Sequence, residues 1–316
     1  MDMTARSAQQ IIEMVRENIE RILIGKRETV DLALMTLACG GHLLIEDAPG
    51  LGKTTLATAL ARSVDCSFSR IQFTPDVLPS DVTGYTMLDI KTGEKEVRHG
   101  VIMSQMVLAD EINRTSPKTQ SSLLEAMQEG QVTIDGETYP LPKPFMVIAT
   151  QNPVEATGTY PLPEAQLDRF FMRVSLGYPA RSEEIDILQS RKGSSSVEVG
   201  AVATAGDVLF LQEQVLKITC ARPVMQYIVD IANNTRKSEK LALGASPRGS
   251  LALMRAAMAH ALFDGRDYVL PDDVKAMAQP VLAHRLIVQL SAGAHKRSAE
   301  LVLQEILRTT PVPVQS

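Results

Sequence analysis

Cysteine is scarce. Three residues in 316, Cys39, Cys66 and Cys220, stand far from one another, with no pair at zinc-ligand or redox spacing. A disulfide framework is therefore not expected. Positive charge is not in surplus either: 32 Lys and Arg against 37 Asp and Glu leave a formal charge of −5. Phosphate backbones are gripped by excess cations, so nucleic acid is not an expected partner, and no helix-turn-helix or zinc signature argues otherwise. Long apolar runs are missing too. Residues 43–45 and 145–149 fall far short of the roughly 18 that a bilayer crossing needs. Residues 1–20 mix charged and apolar side chains at helical spacing and lack the apolar centre of a signal peptide. No membrane span and a cytoplasmic location are expected. There is no internal repeat.

What remains is a globular composition, 45% hydrophobic and 22% charged. A chain near 300 residues tends to divide into two domains. The first, 1–178, opens with a helical stripe over 11–24 that ends at Gly25, and a second helix over 28–39 stopped by Gly40 and Gly41. Short apolar strands follow at 42–46, 69–73, 106–110, 145–150 and 173–176, with helical segments between most of them. That alternation predicts an α/β fold, a parallel sheet between helices. Two segments break the rhythm. Residues 130–144, with Val132 and Ile134 before Asp135-Gly136, carry a hairpin signal, and residues 86–102, around Lys91-Thr92-Gly93-Glu94, carry a weaker one. Strand signals fade after Tyr178-Pro179, and Gly193-Ser194-Ser195-Ser196 marks a flexible connection. The second domain, 179–316, reads as a smaller helical unit, with segments at 205–218, 224–235, 247–263, 271–282 and 299–307.

Between the strand at 42–46 and a helix over 56–64 stands Ala48-Pro49-Gly50-Leu51-Gly52-Lys53-Thr54-Thr55. Glycines let the main chain curl so that several amides face one anion, and the helix start adds its positive dipole end. Pro49, Gly50, Leu51, Gly52, Lys53, Thr54 and Thr55 therefore read as a phosphate loop for a nucleotide. Lys53 reaches the β and γ phosphates, and Thr54 ligates magnesium. The general pattern wants glycine where this chain has Asp47, an acid that repels phosphate unless it turns away or hydrogen-bonds backbone.

The strand at 106–110 ends in Asp110-Glu111. Asp110 suits the magnesium shell, and Glu111 suits polarisation of an attacking water. Asn152 before Pro153 reads as a turn residue or, if its strand lies beside that of Asp110, as an amide near the γ phosphate. Ser246-Pro247-Arg248 reads as a helix start. A cation there opposes the helix dipole by roughly 0.3–1 kcal/mol, so Arg248 needs a counter-charge, a triphosphate or a nearby carboxylate.

These residues resemble the MoxR branch of the AAA+ ATPases along roughly 11–307. The match rests on Gln72-Phe73-Thr74-Pro75-Asp76, Pro79-Ser80-Asp81, Ala109-Asp110-Glu111-Ile112-Asn113-Arg114, Pro117-Lys118-Thr119-Gln120, Leu123-Leu124-Glu125-Ala126-Met127, Ala149-Thr150-Gln151-Asn152-Pro153 and Glu164-Ala165-Gln166-Leu167-Asp168-Arg169-Phe170. The resemblance implies a P-loop NTPase core with a helical lid. It implies Walker A at Lys53 and Thr54, Walker B at Asp110 and Glu111, sensor 1 at Asn152, sensor 2 at Arg248, and an adenine pocket at Ile24 and Gly25. An acid at Asp47 is also familiar in that branch. Arg169 is implied to be an arginine finger acting in a neighbour's site, the alternative being an intrachain ion pair. A hexameric ring would follow. The hairpins would be the branch's insertions, although Gly100-Val101-Ile102 departs from its common Gly-Pro pattern.

The function so implied is a magnesium-dependent ATPase that remodels or activates client proteins, often ones bearing a von Willebrand factor A domain, with metal-cofactor insertion or complex maturation as the outcome. No such domain fits in this chain. A slow nucleotide-gated assembly switch would use the same residues, and a DNA-linked motor is disfavoured by the acidic charge.

Overall fold

The computed structural model describes residues 6–88, 94–152, 159–190, 199–289 and 298–313. The hairpin tip Lys91-Thr92-Gly93, Pro153 and the Gly193-to-Ser196 connection lie outside these. Helix α1 (Ala8–Glu20) begins at a capping box between Ser7 and Gln10 and stops short of Gly25, which occupies the turn after it with φ +73°. Helix α2 (Arg27–Ala38) leads to β1 (Leu43–Glu46), the glycine loop and α3 (Lys53–Ser63). Next come β2 (Phe68–Gln72), the short α4 (Pro79–Thr83), the hairpin β3 (Gly84–Leu88) with β4 (Lys95–His99), and β5 (Met106–Asp110). Helix α5 (Pro117–Glu129), the hairpin β6 (Gln131–Ile134) with β7 (Glu137–Pro140), β8 (Met146–Gln151), the one-turn α6 (Glu164–Leu167) and β9 (Met172–Val174) complete the α/β part.

The five core strands form one parallel sheet in the order β2-β5-β8-β1-β9. Alternation along each strand sends side chains to opposite faces. Leu43, Ile45, Leu108 and Ile148 pack with α1, α2 and α3 in one apolar cluster. Leu44, Val107, Ala109, Val147 and Ala149 pack with α5 and the β6–β7 hairpin in another. Because β8 lies between β1 and β5, the carboxyl ends of the phosphate-loop strand and of the Asp110 strand flank the end of β8. Ligands of open α/β sheets bind in the crevice at such a point.

The remaining chain is helical: α7 (Arg181–Ser190), α8 (Ala205–Lys217), α9 (Arg222–Lys237), α10 (Pro247–Phe263), α11 (Pro271–Leu282) and α12 (Ala299–Thr309). It also carries a small antiparallel ribbon of β10 (Leu241–Leu243) and β11 (Ile287–Val288) that has no sequence signal of its own. Its apolar residues, among them Val208, Leu253 and Val274, join the cluster under α1–α3.

The two hairpins touch. The Thr86 amide donates to Asp135 at 3.1 Å, and the His99 and Tyr139 rings meet edge to face at 5.5 Å. Gly84 and Gly100 allow the first hairpin's root to close: a side chain at Gly84 would meet the Arg98 carbonyl at 2.3 Å. After Gly100, residues Val101–Met103 form a 3-10 turn that buries Ile102. No helix among the described residues is long and apolar enough to cross a membrane.

Candidate functional site

The phosphate loop leaves β1 and turns into α3 on two left-handed glycines, Gly50 at φ +82° and Gly52 at φ +95°. Gly52 is the N-cap, and no side chain caps the first turn of α3. Its orphan amides are thus left to an anion. A side chain on Gly50 would meet nothing within 4 Å, whereas one on Gly52 would come within 3.3 Å of Leu23. The helix begins at Lys53 rather than at 56, so Lys53, Thr54 and Thr55 all belong to its first turn. The Lys53 ammonium donates to the loop's own carbonyls, Asp47 at 2.7 Å and Ala48 at 3.4 Å. Thr54 and the carboxylate of Asp110 are the residues suited to a magnesium ion. The donor set, an uncapped helix start with a lysine and an acid at a strand end, fits a magnesium-bound polyphosphate.

Asp47 turns away from the loop. Its buried carboxylate accepts from the Ser175 hydroxyl at 2.7 Å and from the amides of Leu176 and Gly177, all just after β9. The anticipated repulsion is removed by this orientation, and the acid ties the loop's base to the edge of the sheet. Ile24 and Gly25 sit in the turn after Leu23, the residue that a side chain on Gly52 would meet. Gly25 is covered by Glu183, whose side chain stands 2.1 Å from where a Cβ would be. Lys26 donates to the Tyr178 carbonyl at 3.0 Å.

At the end of β5, Asp110 is 7% exposed. It accepts from Thr150 at 2.6 Å and from Arg70 of β2 at 2.7 Å. Glu111 adopts a left-handed backbone, φ +55°, unusual for a residue with a side chain and common where strain serves a site. The Gln72 amide donates to its carboxylate at 2.8 Å, and Arg114 lies 3.1 Å from the same oxygen. Asn152 is buried one residue beyond β8, beside the end of β1 through the Glu46–Gln151 register. The loop, Asp110, Glu111 and Asn152 therefore share the carboxyl edge of the sheet, the placement on which the γ-phosphate reading of Asn152 depended.

Arg169 and Arg248 lie elsewhere. The Phe171 amide donates to the His42 carbonyl at 2.8 Å, and β9 starts opposite Leu43. The segment 168–171 therefore borders the amino edge of the sheet, with the length of β1 separating it from the loop. Arg248, at the start of α10, stands beside it: its guanidinium is 3.9 Å from Asp168, and the Ser246 hydroxyl donates to both Asp168 oxygens at 3.2 Å. Of the two counter-charges open to Arg248, this chain offers a carboxylate. Asp168 is held more closely by Arg285, whose Nε donates to it at 2.8 Å. Arg169 is half-buried and makes no ion pair among the described residues, its neighbour Asp168 being engaged by other arginines.

Sequence reading missed Arg70, Gln72, Thr150, Ser175 and Arg285. Arg70 and Gln72 alternate with the buried Ile71, a period-two pattern that puts both on one face of β2. Nothing local marks the others, whose partners are distant in sequence.

The family model for the ATPase family associated with various cellular activities (AAA) matches residues 42–172, and the AAA lid domain matches 233–306. The chain is 51% identical to the YeaC protein of Bacillus subtilis, over 95% of this chain and 94% of that one. It is 42% identical to Chaperone MoxR1 of Mycobacterium tuberculosis, over 93% of this chain and 80% of that one. The crystal structure of a candidate ATPase from Cytophaga hutchinsonii shares the fold at a TM-score of 0.90 and 39% identity, covering 97% and 96% of the two chains. The chain belongs to the MoxR family of AAA+ ATPases.

Proposed function

We propose that this protein hydrolyses ATP in a magnesium-dependent reaction within a closed, hexameric ring and uses the cycle to remodel a client protein. The observation that carries this reading is the split between the two edges of the sheet. Lys53, Thr54, Asp110, Glu111 and Asn152 gather at one edge, while Arg169, next in the chain to the Asp168 that Arg248 approaches, lies at the other. Head-to-tail contact joins these unlike surfaces, and a heterologous contact that closes makes a ring.

In that arrangement the loop amides and Lys53 hold the phosphates, with Ile24 and Gly25 beside the base. Thr54 and Asp110 hold the magnesium ion, which supplies charge neutralisation on the phosphates. Glu111 accepts a proton from the attacking water, and Asn152 orients that water. Arg169 and Arg248 of the adjoining subunit neutralise charge developing on the γ-phosphoryl group. The joined hairpins, with Tyr85, Met87 and Leu88 exposed, offer the client an apolar surface. The name of the mycobacterial relative, a chaperone, agrees with a client-directed role. A protein with a von Willebrand factor A domain, matured by the ring or loaded with its metal cofactor, is the client class the family resemblance suggests.

One observation favours the gated-switch reading as a second possibility: Glu111 is engaged by Gln72 and Arg114, which holds the base back until something releases it. Glu111→Gln separates the two. It abolishes hydrolysis in both, but a switch retains its effect on the client with ATP bound, whereas a motor loses it. Affinity capture with this variant, which binds ATP without turning it over, recovers the client. Absence of magnesium-dependent phosphate release from the unaltered protein would remove the ATPase reading.

A further inference from the structure

Arg285, in the 3-10 turn that ends α11, is an arginine with 3% of its side chain exposed. A guanidinium so buried is costly unless its donors are satisfied, and here four of its six hydrogen bonds reach the short segment 168–171, the other two going to Val281 and His284. Nε donates to the Asp168 carboxylate at 2.8 Å, Nη2 to the Phe170 carbonyl at 2.6 Å and the Asp168 carbonyl at 3.4 Å, and Nη1 to the Phe171 carbonyl at 3.3 Å. Nη1 also donates to the Val281 carbonyl of its own helix. The fork thus grips the backbone on both sides of Arg169. Its neighbour His284, also buried, lies 3.2 Å from the Phe170 carbonyl.

The stem of Arg285 does a second thing. Gly249 lies in the first turn of α10, and a side chain there would come within 3.3 Å of Arg285 Cδ and 3.4 Å of Leu282. The start of α10, from which Arg248 projects, therefore rests on the arginine that holds the segment of Arg169. Asp168 closes the arrangement from the other side, accepting from Ser246 and Arg285 with Arg248 nearby.

We propose that Arg285 is a positioning residue: it fixes Arg169 and Arg248 in one geometry, so that the two arginines are held in register with each other. This rests on the reading that those arginines serve a neighbour's nucleotide. Arg285 touches no reacting atom in either subunit, and its effect runs through the placement of the other two.

Subunit mixing tests it. Arg285→Met keeps most of the stem and removes the fork. Misplacement of a catalytic group by about 1 Å costs about 10²-fold, so rings of this variant are expected to lose about that factor in kcat, with the KM for ATP unchanged. Mixed with Glu111→Gln subunits, whose own sites are dead but whose arginines are intact, Arg285→Met subunits regain turnover; mixed with Arg169→Ala subunits they do not. Asp168→Asn keeps the side chain's shape while removing its charge, and gives the same pattern should Arg285→Met fail to fold. Wild-type kcat in both variants overturns the proposal. So does failure of Glu111→Gln to restore them where it does restore Arg169→Ala. If Arg169→Ala itself is not restored, the neighbour-site reading falls and the proposal falls with it.

Discussion

Thr150 donates its hydroxyl to Asp110 at 2.6 Å, and the same oxygen accepts the amide of Glu111 at 2.9 Å. One fully buried side chain on the central strand thus fixes the acid suited to magnesium and the left-handed backbone of the residue suited to activate water. Replacing Thr150 by Val preserves volume but leaves a buried carboxylate oxygen and an amide without this partner. The expected loss is about 1–3 kcal/mol of stability, measured by urea denaturation, together with slower ATP hydrolysis. A Thr150→Val protein with unchanged midpoint and turnover would mean that the hydroxyl is incidental.

Gln72 and Glu111 give a second prediction. The Gln72 amide occupies an oxygen of the proposed base, and a hydrogen bond to a charged group is worth roughly 1.5–3 kcal/mol. Removing it with Gln72→Ala should leave Glu111 freer to accept a proton. ATP hydrolysis without client is expected to rise several-fold, up to about tenfold for 1.4 kcal/mol. Steady-state assays at saturating ATP read this directly; a fall in kcat would instead make Gln72 part of the machinery that positions water.

How far the sequence carried the interpretation differs between these residues and the phosphate loop. The loop is local: strand, glycines, lysine and helix follow one another, so geometry is written into consecutive residues. The same holds for helices with proline after a serine cap, such as α10, where Ser246 accepts the Gly249 amide at 3.1 Å. The orientation of Asp47 depends on residues 175–177, brought alongside by the β1–β9 pairing, and no local pattern encodes that. Helix α7 was not legible for a different reason. Ile185 and Leu188 are exposed, so the apolar stripe that identifies a helix packed on a core is missing. The position of Arg248 was legible as a helix start but not as a neighbour of Asp168, because that contact is made only when the lid folds onto the sheet.

A pH dependence follows from His42. It is buried at the entry to β1, where Nδ1 accepts the Val147 amide at 3.0 Å and Nε2 lies 3.1 Å from the Met127 carbonyl. This pairing suits the neutral ring with its proton on Nε2. Burial pushes the pKa down to about 4, against 6.5 for an ordinary histidine. The unfolded chain therefore binds a proton that the folded chain refuses between those values. Stability contributed by His42 is complete above pH 6.5 and is lost as pH falls toward 4, with a slope of about 1.4 kcal/mol per pH unit in the middle of the range. Buried His284 acts in the same direction; His260, raised by its hydrogen bond to Asp273, acts oppositely. The isolated contribution is read by comparing wild-type and His42→Gln in urea at pH 7.5 and 5. The variant should lose less stability on acidification, and equal losses would assign the effect to other groups.

In the proposed ring, a nucleotide at the carboxyl edge of one sheet is completed by arginines from the amino edge of the next. The most direct measurement is ATP turnover in mixtures of Arg169→Ala and Glu111→Gln subunits. Each variant alone should be depressed, the first by on the order of 10³–10⁵-fold if Arg169 acts as a finger, with ATP binding retained in calorimetry. Mixing should restore a substantial part of the rate, because an intact site of one meets an intact arginine of the other. No recovery at any ratio, with both variants binding ATP and exchanging subunits, would contradict a site shared between neighbours.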